Sequence, residues 1–273
     1  NTNSSPAPLC AKFLCWVRVT MARTWCRRAC TSACWPSAPL SDVGLTDFLL
    51  IRHGETAWNR ELRFQGQLDV PLNDMGLEQA QRLKARMVQA LTEWQVQGHV
   101  PTRLISSDLL RAQQTAQPVA EALGHTCILN AGLREQCFGL FEGLRSPDIQ
   151  AQHPDAWQRW LAFDADAAVE GAETTRAFHD RVIATLQELA QQYVGEHVVV
   201  VTHGGVLDMV WRHAQALSLN GPRVCDIPNA GLNQVAWRDG ALHIQAWADA
   251  THLADLPEQP VYSQKRLLQA RDN

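Results

Sequence analysis

The sequence predicts an α/β fold with a mostly parallel central sheet. Two short apolar runs, 48–51 and 198–201, have the length and composition of strands that are buried on both faces. Segments with apolar residues at every third or fourth position, which is typical of amphipathic helices, lie between these runs. Because strands alternate with helices along the chain, we expect parallel strands that are covered by helices.

The composition is that of an ordinary globular protein, with 46% hydrophobic and 19% charged residues among 273. The net charge is −4 and no stripe of Lys and Arg is present, so nucleic acid is not an expected partner. No apolar run reaches membrane-spanning length, so we expect a soluble chain without membrane contact. Beyond residue 34 the only cysteines are Cys127, Cys137 and Cys225, and such scattered thiols predict a cytoplasmic location.

Residues 1–45 differ from the remainder and are predicted to be a poorly ordered or non-native N-terminal extension. They hold five of the eight cysteines and show no lasting helical or strand period. Cys26, Cys30 and Cys34 have a spacing that would place three thiols on one helix face, but no fourth metal ligand is evident. A secretory signal is disfavoured because Arg18 interrupts the apolar stretch 13–19. We expect residues 46–250 to form the functional domain and residues 251–273 to form a C-terminal tail.

The first strand is followed by a polar loop and a helix. The segment 60–71 has little periodicity, and a loop beyond the end of a strand is a natural wall for a substrate. Asn73 or Asp74 is a suitable N-cap for a helix that continues to about residue 91, with apolar residues on one face.

A second strand, 103–107, leads into a helix that carries Arg111 in its first turn. Ser107 or Asp108 is the expected N-cap of this helix. A cation at the positive end of a helix is favourable only beside an anion, and helix N-termini bind phosphate. The alternative is that Arg111 simply caps the helix or pairs with Asp108.

The remaining elements follow the same alternation, apart from a final antiparallel hairpin. They are a strand at 126–129, a loop at 133–143 with Glu135, a helix at 146–163, a turn and cap at 171–174, a helix to about 193, a strand at 197–201, a further helix, and a hairpin over 233–247 that turns at Asp239-Gly240. Glu135 is either an exposed loop residue or, next to Phe138 or Phe141, a carboxyl that loses solvent and favours its neutral acid form.

Two histidines, His53 and His203, each leave a buried strand and precede a glycine. Ligands of open α/β sheets bind outside the carboxyl ends of the strands, so both imidazoles are expected at one site.

This set of side chains suits phosphoryl transfer. Arg52 and Arg111 can bind phosphate oxygens, and His53 can attack phosphorus to give a phosphohistidine. His203, as a cation, can stabilise charge on the oxygens, and Glu135 can serve as the general acid and base.

The chain also resembles a known family. The run L-L-I-R-H-G-E-T-A-W-N at 49–59 is similar to the signature of the histidine phosphatase superfamily, the phosphoglycerate mutase-like proteins. Further similar segments are R-F-Q-G-Q-L-D-V-P-L-N-D-M-G at 63–76, S-S-D-L-L-R-A-Q-Q-T-A at 106–116, L-R-E-Q-C-F-G-L-F-E-G at 133–143, G-A-E-T at 171–174 and V-V-T-H-G-G at 200–205. The resemblance covers roughly residues 47 to 250. It implies a three-layer α/β/α sandwich in which His53 is phosphorylated and Arg52, Arg111, Glu135 and His203 surround it.

Two departures favour a broad-specificity phosphatase over a glycolytic mutase. Gln136 stands where the mutase pattern has arginine, and the segment after Gly143 lacks a mutase-type insertion. We therefore expect a phosphomonoesterase that acts on small phosphorylated metabolites. A mutase that transfers the phosphoryl group within a sugar acid is the alternative, and a silent phosphate-binding module is disfavoured because the catalytic set is intact.

The remaining expectations concern ligands and assembly. We expect the substrate to contact Asn59, Gln65, Thr56 and Gly204. No cofactor is expected, and no metal, since the ten histidines are dispersed without H-x-x-x-H spacing. The oligomeric state is left open, a homodimer included.

Overall fold

The computed structural model describes residues 44–260 and Gln264. The expectations for the N-terminal extension therefore fall almost wholly outside the described residues, as does the cysteine cluster. The strands are β1 (Thr46–Arg52), β2 (Arg103–Ser106), β3 (Cys127–Leu129), β4 (His197–Thr202), β5 (Leu232–Arg238) and β6 (Ala241–Asp249). The helices are α1 (Ala57–Arg60), α2 (Asp74–Gln97), α3 (Leu110–Leu123), α4 (Ser146–Gln152), α5 (Pro154–Leu161), α6 (Thr175–Gln192) and α7 (Gly204–Ala214).

The six strands form one mixed sheet in the order β3-β2-β4-β1-β5-β6. The pairs β3–β2, β2–β4 and β4–β1 are parallel, whereas β5 is antiparallel to both β1 and β6. The final hairpin turns at Asp239 (φ 52°) and Gly240 (φ 78°), as the Asp-Gly pair predicts. The predicted α/β class with a mostly parallel sheet is confirmed.

Helices cover both faces of this sheet. Phe48 and Leu50 of β1 pack with residues of α6 and α7 on one face. Leu49 and Ile51 pack with residues of α2 and α3 on the other. Because successive side chains of a strand point to opposite faces, an unbroken apolar run such as Phe48–Ile51 requires cover on both sides. The chain is therefore the expected three-layer α/β/α sandwich.

The predicted helix over 146–163 is instead two short helices, α4 and α5, which meet at His153. Pro154 causes the break, because proline has no N–H to donate and disfavours helical geometry in the residue before it. His153 accordingly has φ −136° and ψ 56°. The two helices enclose a separate apolar cluster that includes Phe64, Phe141 and Trp157, close to the carboxyl edge of the sheet.

The predicted N-cap of α3 is wrong. The helix begins at Leu110, and its N-cap, Leu109, makes no side-chain cap hydrogen bond. Ser107 and Asp108 have other partners, which are described with the site. The cap of α2 at Asn73 is confirmed, since its side chain accepts a hydrogen bond from the Gly76 N–H.

The described part of the C-terminal segment packs against the body. Leu253 is buried in the cluster beneath α2 and α3. Gln259 exchanges two hydrogen bonds with the backbone of Asn229. Across residues 44–260 and 264, no helix is both long enough and apolar enough to cross a lipid bilayer.

Candidate active site

The pairing of β1 with β4 places His53 and His203 side by side. Arg52 is opposite Thr202 in this parallel pair, so each histidine is the first residue beyond its strand. The His53 N–H donates to the Thr202 carbonyl at 2.8 Å, and the two ring centroids are 5.2 Å apart. The predicted meeting of the two imidazoles is therefore a direct result of strand order and register.

His53 is held in one orientation by its own loop. Its Nδ1 lies 2.7 Å from the Gly54 carbonyl oxygen, which can only accept, so Nδ1 carries the proton and Nε2 has the free lone pair. Asn229 donates to the His53 carbonyl, and Thr115 accepts from the Gly54 N–H. Gly54 itself is required, because a Cβ there would lie 2.7 Å from the carbonyl oxygen of Gly76.

Burial keeps the His53 ring neutral. Loss of solvent, then the charges of Arg111 and Arg52, hold the pKa of His53 well below its ordinary value. An unprotonated Nε2 is the form that a nucleophilic imidazole requires.

The two predicted arginines lie beside this ring, Arg111 fully buried and Arg52 half-buried. Burial lowers the pKa of Arg52 and of Arg111 to about 10, so both remain cations at neutral pH. Arg111 donates to the carbonyl oxygens of Gly66 and Leu68. Asp108 instead forms a two-bond ion pair with Arg134, so the alternative in which Arg111 pairs with Asp108 is wrong.

His203 is the most enclosed member of the set. Its Nε2 lies 2.8 Å from the Ser107 hydroxyl, and its Nδ1 makes no hydrogen bond among the residues that the structure describes. Burial, then the charges of Arg111, His53 and Arg52, hold the pKa of His203 well below its ordinary value. His203 is therefore neutral at pH 7 in this arrangement, whereas the sequence led us to expect a cation.

The carboxyl group of Glu135, which belongs to the loop 133–143, lies at the start of α7. Its Oε2 accepts from the Gly205 N–H at 3.0 Å and its Oε1 accepts from the Gln136 N–H at 2.9 Å. Arg181 donates to the backbone carbonyl of Glu135 and also pairs with Glu173. These contacts fix the carboxyl group in the same cavity as His53.

One cavity collects most of the predicted residues. Arg52, His53, Arg111 and Glu135 line it, and so do three of the predicted substrate contacts, Asn59, Gln65 and Gly204. His203 is fully buried and does not line it, although its ring centroid lies 5.2 Å from that of His53.

Thr56 does not line the cavity either. Its buried hydroxyl donates to Gln65 and caps α1 by accepting from the Asn59 N–H, so it positions two lining residues.

Sequence reasoning missed several residues of the site. Ser107 was assigned to a helix cap, and Asn229 to a turn, although both position a histidine. Arg223 lines the cavity together with Trp160 and Phe138 but lies in an irregular loop, far along the chain from any motif. No local pattern in the sequence marks Arg223.

Known proteins share this fold and these motifs. A family model for the histidine phosphatase superfamily (branch 1) matches residues 48–250. Phosphoglycerate mutase-like protein 4 of Arabidopsis thaliana is 36% identical over 217 residues, which is 78% of this chain and 90% of that protein. The metal-independent phosphoserine phosphatase of Arabidopsis thaliana is 32% identical over 224 residues, which is 81% of this chain and 89% of that protein.

A solved structure of a phosphatase also resembles this chain. The mycobacterial glucosyl-3-phosphoglycerate phosphatase in complex with VO3 superposes with a TM-score of 0.63 at 28% identity. The match covers 75% of this chain and 99% of that one. Since the family model spans most of the chain and two relatives exceed 30% identity over most of their length, the chain belongs to the histidine phosphatase superfamily.

Proposed function

We propose that this protein is a metal-independent phosphomonoesterase that hydrolyses small phosphorylated metabolites through a phosphohistidine on His53. Membership of the superfamily makes it a phosphohydrolase-type enzyme. The observation that carries the mechanism is the setting of His53: burial keeps the imidazole neutral, its Nδ1 lies on the Gly54 carbonyl, and the guanidinium groups of Arg52 and Arg111 are next to it.

Arg52 and Arg111 bind the phosphoryl group. Two guanidinium cations match the two negative charges of a phosphate monoester, and charge-assisted hydrogen bonds from arginine to phosphate are strong in a buried site. Nε of each arginine is buried and makes no hydrogen bond within the described part of the chain. The carbonyl oxygens of Gly66 and Leu68 hold Arg111 in place for this task.

In the first step Nε2 of His53 attacks phosphorus. The P–N bond forms, the ester P–O bond breaks, and Glu135 donates its proton to the departing alkoxide. Such proton transfer contributes about 10²–10⁴-fold for a poor leaving group. Splitting hydrolysis into two displacements is the advantage of covalent catalysis.

In the second step water attacks the phosphohistidine. Glu135, now a carboxylate, accepts the proton of the water, the P–N bond breaks, and inorganic phosphate leaves. His53 and the protonated Glu135 are thereby regenerated.

His203 has a supporting role that does not require a positive charge. If Nε2 accepts the Ser107 hydroxyl proton, Nδ1 carries a proton that it can donate to a phosphoryl oxygen. The two charges of a bound phosphate oppose those of the arginines, which favours protonation of this ring.

No metal step is part of the proposal. Within residues 44–260 and 264, no three or more His, Cys, Asp or Glu side chains are grouped so that they could hold an ion. EDTA is expected to leave activity intact, whereas inhibition that an added metal reverses would refute this part.

A cytoplasmic location completes the proposal. It is supported by Cys127, Cys137 and Cys225, which are free thiols.

The test is replacement of the nucleophile. We expect His53→Ala to abolish hydrolysis of 4-nitrophenyl phosphate together with the acid-labile, base-stable phosphoenzyme. His243→Ala, which changes an exposed histidine on β6, is the matched control. Turnover by His53→Ala near the wild-type rate would refute the phosphohistidine mechanism.

Hydrolysis and mutase activity are separated by the fate of the phosphoryl group. A panel of phosphorylated metabolites is scored for free phosphate and for transfer to 3-phosphoglycerate. Gln136 and the short segment after Gly143 favour free phosphate as the product. Predominant transfer would identify a mutase instead.

A further inference from the structure

A second cavity adjoins the candidate active site and offers space for the part of a substrate beyond the phosphoryl group. Glu135, Phe138, Trp160, Arg223 and Gln264 line both cavities, so the two are continuous. We call the second one the side cavity. Its other walls combine apolar residues, among them Phe163, Val169 and Met209, with polar ones. Because Glu135 lies where the two cavities join, a leaving group that Glu135 protonates extends into the side cavity.

Arg223 brings a third guanidinium group to this junction. A methyl group placed on Gly204 would lie 3.3 Å from Nε of Arg52 and 3.5 Å from Nη1 of Arg223, so the two cations are neighbours. The Gln264 side chain accepts from the Arg223 backbone N–H at 2.7 Å and fixes the loop at this point.

The structure offers Arg223 no good internal partner. Its nearest acid is Asp208, at 3.8 Å from Nε, which is too long for a hydrogen bond. Asp208 already forms a 3.1 Å ion pair with the buried Arg212. Nε of Arg223 makes no hydrogen bond to any residue that the structure describes, although it is buried. A merely structural role for Arg223 leaves this geometry unexplained.

Among the residues that the structure describes, Arg223 is left without a close acid at the junction. Of the other acids that line the side cavity, Glu173 is paired with Arg181 and Asp164 is exposed. Arg52 and Arg111 match the two negative charges of a phosphate monoester. Arg223 therefore remains for a further anionic group of the substrate.

We propose that Arg223 determines specificity by binding a carboxylate on the leaving group of the substrate. The proposal rests on the proposed phosphomonoesterase function and names its substrate class: phosphate esters of small hydroxy acids. A planar carboxylate matches the fork of one guanidinium in shape and in sign of charge.

The test uses two esters that differ only at this position. 3-Phosphoglycerate has a carboxylate where glycerol 3-phosphate has a hydroxymethyl group. Each is measured as a competitor of 4-nitrophenyl phosphate hydrolysis by the full chain, and by calorimetric binding. We expect the wild type to bind 3-phosphoglycerate about 10- to 100-fold more tightly, as one lost charge-assisted hydrogen-bond pair implies.

Three variants locate the source of the preference. Arg223→Gln should abolish most of the preference for 3-phosphoglycerate over glycerol 3-phosphate. Arg223→Lys, which keeps the charge, should retain part of that preference. Arg82→Gln removes the same charge from α2, outside both cavities, and should leave the preference unchanged. Thermal unfolding shows whether each variant is folded.

Three results would overturn the proposal: no preference in the wild type, equal weakening of both esters by Arg223→Gln, or the same loss of preference in Arg82→Gln. Failure of the proposed phosphomonoesterase function gives a different result, because the wild type would then not hydrolyse 4-nitrophenyl phosphate. Calorimetry would still show whether the protein binds 3-phosphoglycerate more tightly than glycerol 3-phosphate.

Discussion

Replacement of Gly205 by alanine should disable the general acid without unfolding the protein. A Cβ on Gly205 would lie 2.0 Å from Oε1 of Glu135 and 3.1 Å from the Phe178 ring. Non-bonded heavy atoms prefer about 3.5 Å, so the carboxyl group has to move by roughly 1.5 Å. Its 3.0 Å hydrogen bond to the Gly205 N–H is then broken.

The expected cost depends on the leaving group. A misplacement of about 1 Å can cost about 10²-fold, which lies within the 10²–10⁴-fold that an acid contributes. We therefore expect kcat for an alkyl phosphate to fall about 10²-fold, while 4-nitrophenyl phosphate, whose leaving group needs no proton, is slowed far less. Alanine in place of glycine in a helix contributes up to about 1 kcal/mol of stability, so the melting temperature should not fall in proportion.

Steady-state kinetics with both esters, together with thermal unfolding, provides the measurement. Glu135→Gln should show the same dependence on leaving group. His243→Ala, which changes an exposed residue of β6, is the control and should leave both rates unchanged. Equal slowing of the two esters by Gly205→Ala would remove the acid role from Glu135, and an unchanged alkyl rate would refute the geometry.

Two further predictions concern stability. Burial lowers the pKa of His53 and His203, and it lowers that of His252 to about 4. In an unfolded chain a histidine has a pKa of about 6.5. Between about pH 4 and pH 6.5 the unfolded state therefore binds more protons than the folded state. The free energy of unfolding should therefore be greatest above pH 6.5 and fall towards pH 4. Urea titrations at several pH values across this range measure it, and a free energy of unfolding that rises on acidification would contradict the prediction. Arg212→Gln leaves the buried Asp208 without its ion pair, so we expect a loss of about 3–5 kcal/mol by chemical denaturation. The double variant with Asp208→Asn should recover part of that loss, and a single variant as stable as the wild type would show that the pair contributes nothing.

Local patterns were sufficient to predict most of the fold. The apolar runs of β1 and β4, the stripe of α2 and the Asp-Gly turn each depend on interactions between residues close in sequence. The break between α4 and α5 was also visible in the sequence, because Pro154 cannot continue a helix, and the prediction of one helix overlooked it. The prediction of the N-cap of α3 was wrong for a different reason. Ser107 satisfies the local preference for a cap, but in the structure its hydroxyl lies against His203, 96 residues away.

The five catalytic candidates were proposed from their chemistry and from a family resemblance, and the structure adds their arrangement. It brings Arg52, His53, Arg111 and Glu135 to one cavity, with the buried His203 ring beside that of His53. Burial also holds the pKa of His203 well below its ordinary value, which composition and spacing do not reveal, because desolvation depends on everything that packs around the ring.

The sequence by itself determined the α/β class, the residues at the ends of the two buried strands and the superfamily to which the chain belongs. Short-range periodicity and contiguous motifs carry that information. Only the tertiary structure decided that β4 lies next to β1 in the register that joins His53 to His203, and that Arg223 reaches the same site. The physical reason is that strand order, burial and the placing of charges arise from contacts between residues far apart in the sequence, and no local pattern encodes them.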